Sequence, residues 1–108
     1  MAGLLRRYRI GQLTGRRRRA VVPRITLFVR PECHLCHDAE SMLLRSFRRR
    51  EIEIVDVMSS LELENRYILR VPVIAVDGQE LAEGQITMAD MQSIRRALVQ
   101  TRDGKLSL

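Results

Sequence analysis

From Arg24 onward the apolar positions of this chain fall into two rhythms, one of strand-like runs and alternation and one of three- and four-residue steps. Residues 24–30, built on Ile25-Thr26-Leu27-Phe28-Val29, read as a buried strand. Cys36, Ala39, Leu43 and Phe47 share one face of a helix predicted over 33–49, whose exposed end is Arg48, Arg49 and Arg50. Cations suit the negative end of a helix, so that cluster needs no ligand to explain it. Residues 51–57 alternate as a second strand. Ser59-x-x-Glu62 has the form of a capping box and predicts a short helix to about Tyr67. Val71 to Val76 reads as a third strand entered through Pro72, Asp77-Gly78 as a hairpin turn, and Gln79 to Ala82 as the return strand, broken by Gly84. Thr87-x-x-Asp90 opens a last helix with Met88, Met91, Ile94 and Leu98 inward, and Asp103-Gly104 ends it. The order is strand, helix, strand, helix, strand, strand, helix. Its first half is a right-handed parallel βαβ unit and its second an antiparallel hairpin, which predicts an α/β domain with a four-stranded mixed sheet covered by helices.

Composition narrows this picture. The 108 residues suffice for one small domain, and 45% hydrophobic residues with no Trp imply an aliphatic core. No run is long and apolar enough to span a membrane. Charge is divided unevenly. Eight of the 19 basic residues (Arg6, Arg7, Arg9, Arg16 to Arg19 and Arg24) lie in residues 1–24, where there is no acid. The remainder carries 11 basic against 13 acidic residues. Residues 1–23 therefore read as an appended, flexible Arg-rich extension, 24–102 as the domain and 103–108 as a frayed tail. An Arg block attracts phosphate, so the extension is a candidate for weak contact with nucleic acid or an anionic surface. Acid-free and Arg-rich, it also leaves organelle targeting open, although it has no export-signal core.

The chemistry concentrates in Cys33-His34-Leu35-Cys36-His37, which holds both cysteines and both histidines of the chain. A disulfide across two residues staples little chain, so redox chemistry or a metal is expected instead of a structural framework, in a reducing and therefore cytoplasmic setting. At a helix N-terminus the unpaired N–H groups and the dipole favour a thiolate. Cys-x-x-Cys-His is also the attachment motif of c-type haem, but that needs export and another architecture. Zinc would need a second ligand cluster, which the chain lacks.

The strand before the motif, the Val-Pro entering the third strand and the element order resemble the thioredoxin superfamily, and within it the small glutaredoxin-like proteins. The resemblance rests on Arg30-Pro31-Glu32-Cys33-His34-Leu35-Cys36, Val55-Asp56-Val57, Arg70-Val71-Pro72-Val73, Asp77-Gly78 and Gly84, in that order between about Arg24 and Val99. The Cys-His-Leu-Cys sequence is similar to a branch distinct from the common dithiol glutaredoxins. The resemblance implies a sheet of order 2-1-3-4 with three helices on its two faces. It also implies a cis bond before Pro72, a Val71 main chain offered to substrate, an Arg30 that steadies the thiolate or a glutathione carboxylate, and a substrate-binding turn at Gly84. The usual Gly-Gly pair followed by Asp is replaced by Ala82-Glu83-Gly84-Gln85-Ile86-Thr87, so Glu83 is expected to repel glutathione.

The function expected is dithiol–disulfide oxidoreduction, acting on polypeptide or glutathione mixed disulfides. Cys33 is the expected nucleophile and Cys36 the resolving thiol, with His34 tuning the reduction potential. His37 reads as a surface residue, Met58 and Met88 as packing, and Arg66 and Arg70 as either lining the substrate groove or solvated. No bound cofactor is required. Electrons come from glutathione or a thioredoxin-reductase-type donor, and the chain is expected to act as a monomer. The alternative is a non-catalytic thioredoxin-fold module that carries zinc or an iron–sulfur cluster on the same cysteines.

Overall fold

The computed structural model describes residues 23–107, so the reading of residues 1–22 and their partners lies outside the described residues. Strand β1 (Ile25–Val29) leads to helix α1 (His34–Ser46), strand β2 (Ile52–Asp56), helix α2 (Leu61–Tyr67), strands β3 (Val73–Val76) and β4 (Gln79–Glu83), and helix α3 (Met88–Ser107). Single 3-10 turns at Arg49–Glu51 and Val57–Ser59 flank β2. The sheet order is β2-β1-β3-β4, with β1 and β2 parallel and the other neighbours antiparallel. This is the expected four-stranded mixed sheet with three helices.

The alternation along each strand divides the residues between two faces. Ile25, Leu27, Ile74 and Val76 are buried together with Ala39 and Leu43 of α1 and Met91 and Ile94 of α3. On the other face a smaller cluster of Val57, Tyr67 and Val73 packs with Phe28 beneath α2. The Asp77-Gly78 turn has positive φ at both residues, 51° and 86°, as a two-residue hairpin of this hand requires. The Arg24 guanidinium donates twice to Asp77 (3.1 and 2.9 Å) and once to the Leu98 carbonyl (3.2 Å), tying the start of β1 to the hairpin and α3.

Several boundaries differ from the sequence expectation. Helix α1 stops at Ser46 because Phe47 turns extended (φ −135°, ψ 164°) and packs against the core under the Arg95 guanidinium. Arg48–Arg50 therefore lie beyond the helix end. The cap of α2 is Ser60, whose Oγ accepts the Leu63 N–H at 3.1 Å, and not Ser59, which the preceding 3-10 turn consumes. Pro72 and Val71 precede β3, and β4 runs one residue further, to Glu83. Helix α3 continues through Gly104 to Ser107; an established helix gains one bond per added residue and tolerates a glycine at a cost of about 1 kcal/mol. Met88 and Met58 are exposed rather than packed. Each three-residue step falls about 60° short of a full turn, so Met88 lies at the margin of the stripe that Met91 and Ile94 bury.

Candidate functional site

Both parallel strands end, and β3 begins, at one end of the sheet. Val55, Phe28, Val73 and Glu83 pair straight across the four strands there. Chain leaving β1 passes through Pro31 and Glu32, and Glu32 adopts a left-handed φ of 56°. That turn delivers Cys33 in extended conformation as the N-cap of α1. The Cys36 N–H donates to Cys33 Sγ at 3.2 Å and the His37 N–H to the Cys33 carbonyl at 3.1 Å. A sulfur capping a helix N-terminus is where excess negative charge is most favoured. Cys33 and Cys36 are joined as a disulfide with Cα atoms 5.2 Å apart. Cys36 is buried at 3% exposure whereas Cys33 is partly exposed, so an incoming sulfur meets Cys33 first.

The other anticipated residues are placed as follows. Val71-Pro72 is a cis peptide, Pro72 is buried, and Phe28 pairs with the next residue, Val73, so the proline stands beside the end of β1. The Val71 N–H donates to the Tyr67 carbonyl at 3.1 Å, which occupies one of the two main-chain groups expected to receive a substrate. Gly84 has φ 75°, a conformation few L side chains adopt, and its N–H donates to the Pro72 carbonyl at 2.9 Å. Arg30 is exposed and donates to the carbonyl of its neighbour Pro31 at 3.2 Å. The His34 side chain is 88% exposed, with Nε2 3.8 Å from Asp38 Oδ2 across one helical turn. Among the described residues no three His, Cys, Asp or Glu side chains converge as a metal-binding group.

Glu83 belongs to a group centred on one cation. It pairs with Val73 and so lies on the α2 face of the sheet, opposite α1. There the Arg70 guanidinium donates to it through Nε and Nη2 at 3.1 and 2.8 Å. Glu83 therefore shares a cation on its own face with a second carboxylate, Glu80, and is not an isolated anion. Arg70 also contacts Glu80 and lies 5.4 Å over the Tyr67 ring, which stacks on Phe28 at 4.2 Å between centroids. The hydrogen bond from Arg70 holds the Glu80 carboxyl below its ordinary range, while burial, aided by a hydrogen bond to Glu80, raises the Tyr67 phenol. Sequence reasoning did not find Tyr67 and Glu80 as members of this group. The signals in the sequence are Arg66 and Arg70 ahead of the proline, and both guanidinium groups lie over the Tyr67 ring, at 5.8 and 5.4 Å.

A shallow groove runs along α1 from the motif, lined by Leu35, Asp38, Ser41, Arg45, Gln85 and Ile86 among others. No helix among the described residues is long and apolar enough to cross a membrane.

Residues 24–99 match the family described as glutaredoxin-like domain (DUF836). No curated protein matches the chain. Among solved structures, the holo form of glutaredoxin C1 from Populus tremula x tremuloides is 14% identical with a TM-score of 0.50. The likeness covers 95% of this chain and 98% of that one. At that identity the likeness is one of fold, and the fold is the thioredoxin-like one of glutaredoxins.

Proposed function

Starting from the fact that the chain belongs to the glutaredoxin-like domain family, in which a Cys-x-x-Cys pair on this fold supports a redox function in general, we propose that it is a dithiol–disulfide oxidoreductase acting through Cys33 and Cys36. The observation that carries this reading is the asymmetry of the pair: a partly exposed sulfur capping a helix N-terminus, joined to a buried one a turn further on.

In the reduced protein the Cys33 thiolate attacks one sulfur of a substrate disulfide. The substrate S–S bond breaks, a mixed disulfide forms at Cys33, and one substrate sulfur leaves as thiolate. The Cys36 thiolate then attacks Cys33 Sγ, the second substrate sulfur leaves, and the Cys33–Cys36 disulfide remains. The substrate has gained two electrons and the pair has lost them. A thiol reductant, glutathione or a thioredoxin-reductase-type donor, returns them. The Val71 carbonyl offers a main-chain acceptor to a substrate N–H at the cis-proline loop, a partial form of strand pairing. Arg30 and Gly84 border this approach. His34 acts on the potential only through a solvent-screened charge, given its exposure. We place the protein as a monomer in a reducing, cytoplasmic setting, where a lone local pair of cysteines serves exchange and not stapling.

The test is coupled NADPH oxidation by wild type and Cys33→Ser. One arm uses a glutathione mixed disulfide with glutathione and glutathione reductase, the other insulin disulfide with thioredoxin reductase. Turnover in either arm that is lost in Cys33→Ser is the expected result, and the active arm names the reductant. Silence of folded, reduced protein in both arms overturns the reading.

A further inference from the structure

Strand β4 contains an irregularity that bears on the site. Ala75 pairs with Glu80, but the preceding Ile74 pairs with Ala82, so Leu81 is an extra residue in the ladder. In an unbroken strand Glu80 and Glu83, three residues apart, would face opposite sides of the sheet. The bulge restores them to one side, with Ala75 and Val73, and both carboxylates meet a single guanidinium. Bulges of this kind re-aim side chains beside active sites.

That guanidinium belongs to Arg70, which adjoins the cis Val71-Pro72 bond. The main chain of this loop is held at both ends. The Arg70 and Val71 N–H groups donate to the Tyr67 carbonyl at 2.8 and 3.1 Å, and the Pro72 carbonyl accepts from Gly84 at 2.9 Å. The Arg70 side chain supplies the remaining tie, from the loop to β4. One guanidinium shared by two carboxylates and lying over Tyr67 is a more constrained arrangement than an isolated surface pair.

We propose that Arg70 is a positioning residue: clamped by Glu80 and Glu83 of the bulged strand, it holds the Val71-Pro72 loop in register with the Cys33–Cys36 pair so that a substrate disulfide arrives aligned. This rests on the redox reading above. Arg70 touches neither sulfur, so its loss misplaces the substrate without altering the chemistry of the pair.

The experiment uses the full chain with Arg70→Ala, Arg70→Lys and the charge swap Arg70→Glu with Glu83→Arg. It measures turnover of a polypeptide disulfide, the reduction potential of the cysteine pair, and amide exchange at Gly84 relative to Leu27. For Arg70→Ala we expect KM to rise about tenfold with kcat within about twofold. The potential stays at the wild-type value. Gly84 exchanges about tenfold faster while Leu27 is unchanged, reporting local and not global opening. Lysine, lacking the fork, recovers part of the KM, and the swap recovers more. An unchanged KM overturns the proposal, as does a potential that moves with it. Unchanged exchange at Gly84 also overturns it. If wild type turns over no disulfide, the redox reading fails, and the Gly84 measurement alone decides the clamp.

Discussion

The two faces of the sheet are built on different principles. Toward α1 and α3 the sheet presents Ile25, Leu27, Ile74 and Val76 to a continuous aliphatic layer that also takes in Ala39, Leu43, Met91 and Ile94. Toward α2 it presents a small cluster around Val57, Tyr67 and Val73, completed by the Phe28–Tyr67 stack and the Arg70, Glu80 and Glu83 group. Aliphatic burial is strong and tolerant of direction, whereas a solvent-exposed guanidinium between two carboxylates adds little stability but fixes geometry. The first face therefore supplies stability and anchors the cysteine helix, and the second ties the Val71-Pro72 loop to β4.

The largest effect expected from this division is on the first face. Leu27 is fully buried, and Leu27→Ala should lower unfolding free energy by about 3 kcal/mol in urea titration. Its reduction potential should match wild type; a shifted potential would mean that the core layer also sets the chemistry. On the second face, Phe28→Leu removes the ring stack and should cost about 1 kcal/mol. A loss as large as that of Leu27→Ala would erase the contrast between faces. Ser60→Ala should also cost about 1 kcal/mol and Ser59→Ala less than about 0.5, since only Ser60 caps α2. The smallest effect is one of pH. A carboxyl held low in the folded state adds stability above its ordinary range and loses it as pH falls through the folded value. The stability difference between wild type and Arg70→Met should thus be flat above about pH 5 and close as pH drops below about 4. A difference that instead grew on acidification would show that Glu80 is not the partner responsible.

These contrasts also mark how far the sequence could be read. The existence of the strands and the antiparallel β3–β4 hairpin follow from the apolar runs and from the Asp77-Gly78 turn, whereas the strand order was legible only through the resemblance to glutaredoxin-like proteins. The Cys33–Cys36 pair was legible because its position depends on local geometry, a strand end followed by a helix start. Helix boundaries were less so. Ser59 and Ser60 carry the same capping chemistry, and the choice between them depends on a 3-10 turn capped by Asp56, whose carboxylate accepts the Met58 N–H at 2.8 Å. The partner of Glu83 is not legible, because the bulge at Leu81 is a property of pairing. Leu81 and Ala82 are both apolar, so nothing in the string Gln79-Glu80-Leu81-Ala82-Glu83 says where the alternation skips. Without that skip, the partners of Arg70 could not be deduced.

The bulge has one more consequence, for how molecules of this protein meet each other. An outer strand exposes a row of unpaired N–H and C=O groups that can template a neighbouring chain. Strand β4 is one outer strand of this sheet, and its kink at Leu81, with glutamates on either side, breaks that row and makes it a poor template. The bulged border and the cis-proline loop beside it are thereby kept clear of such pairing.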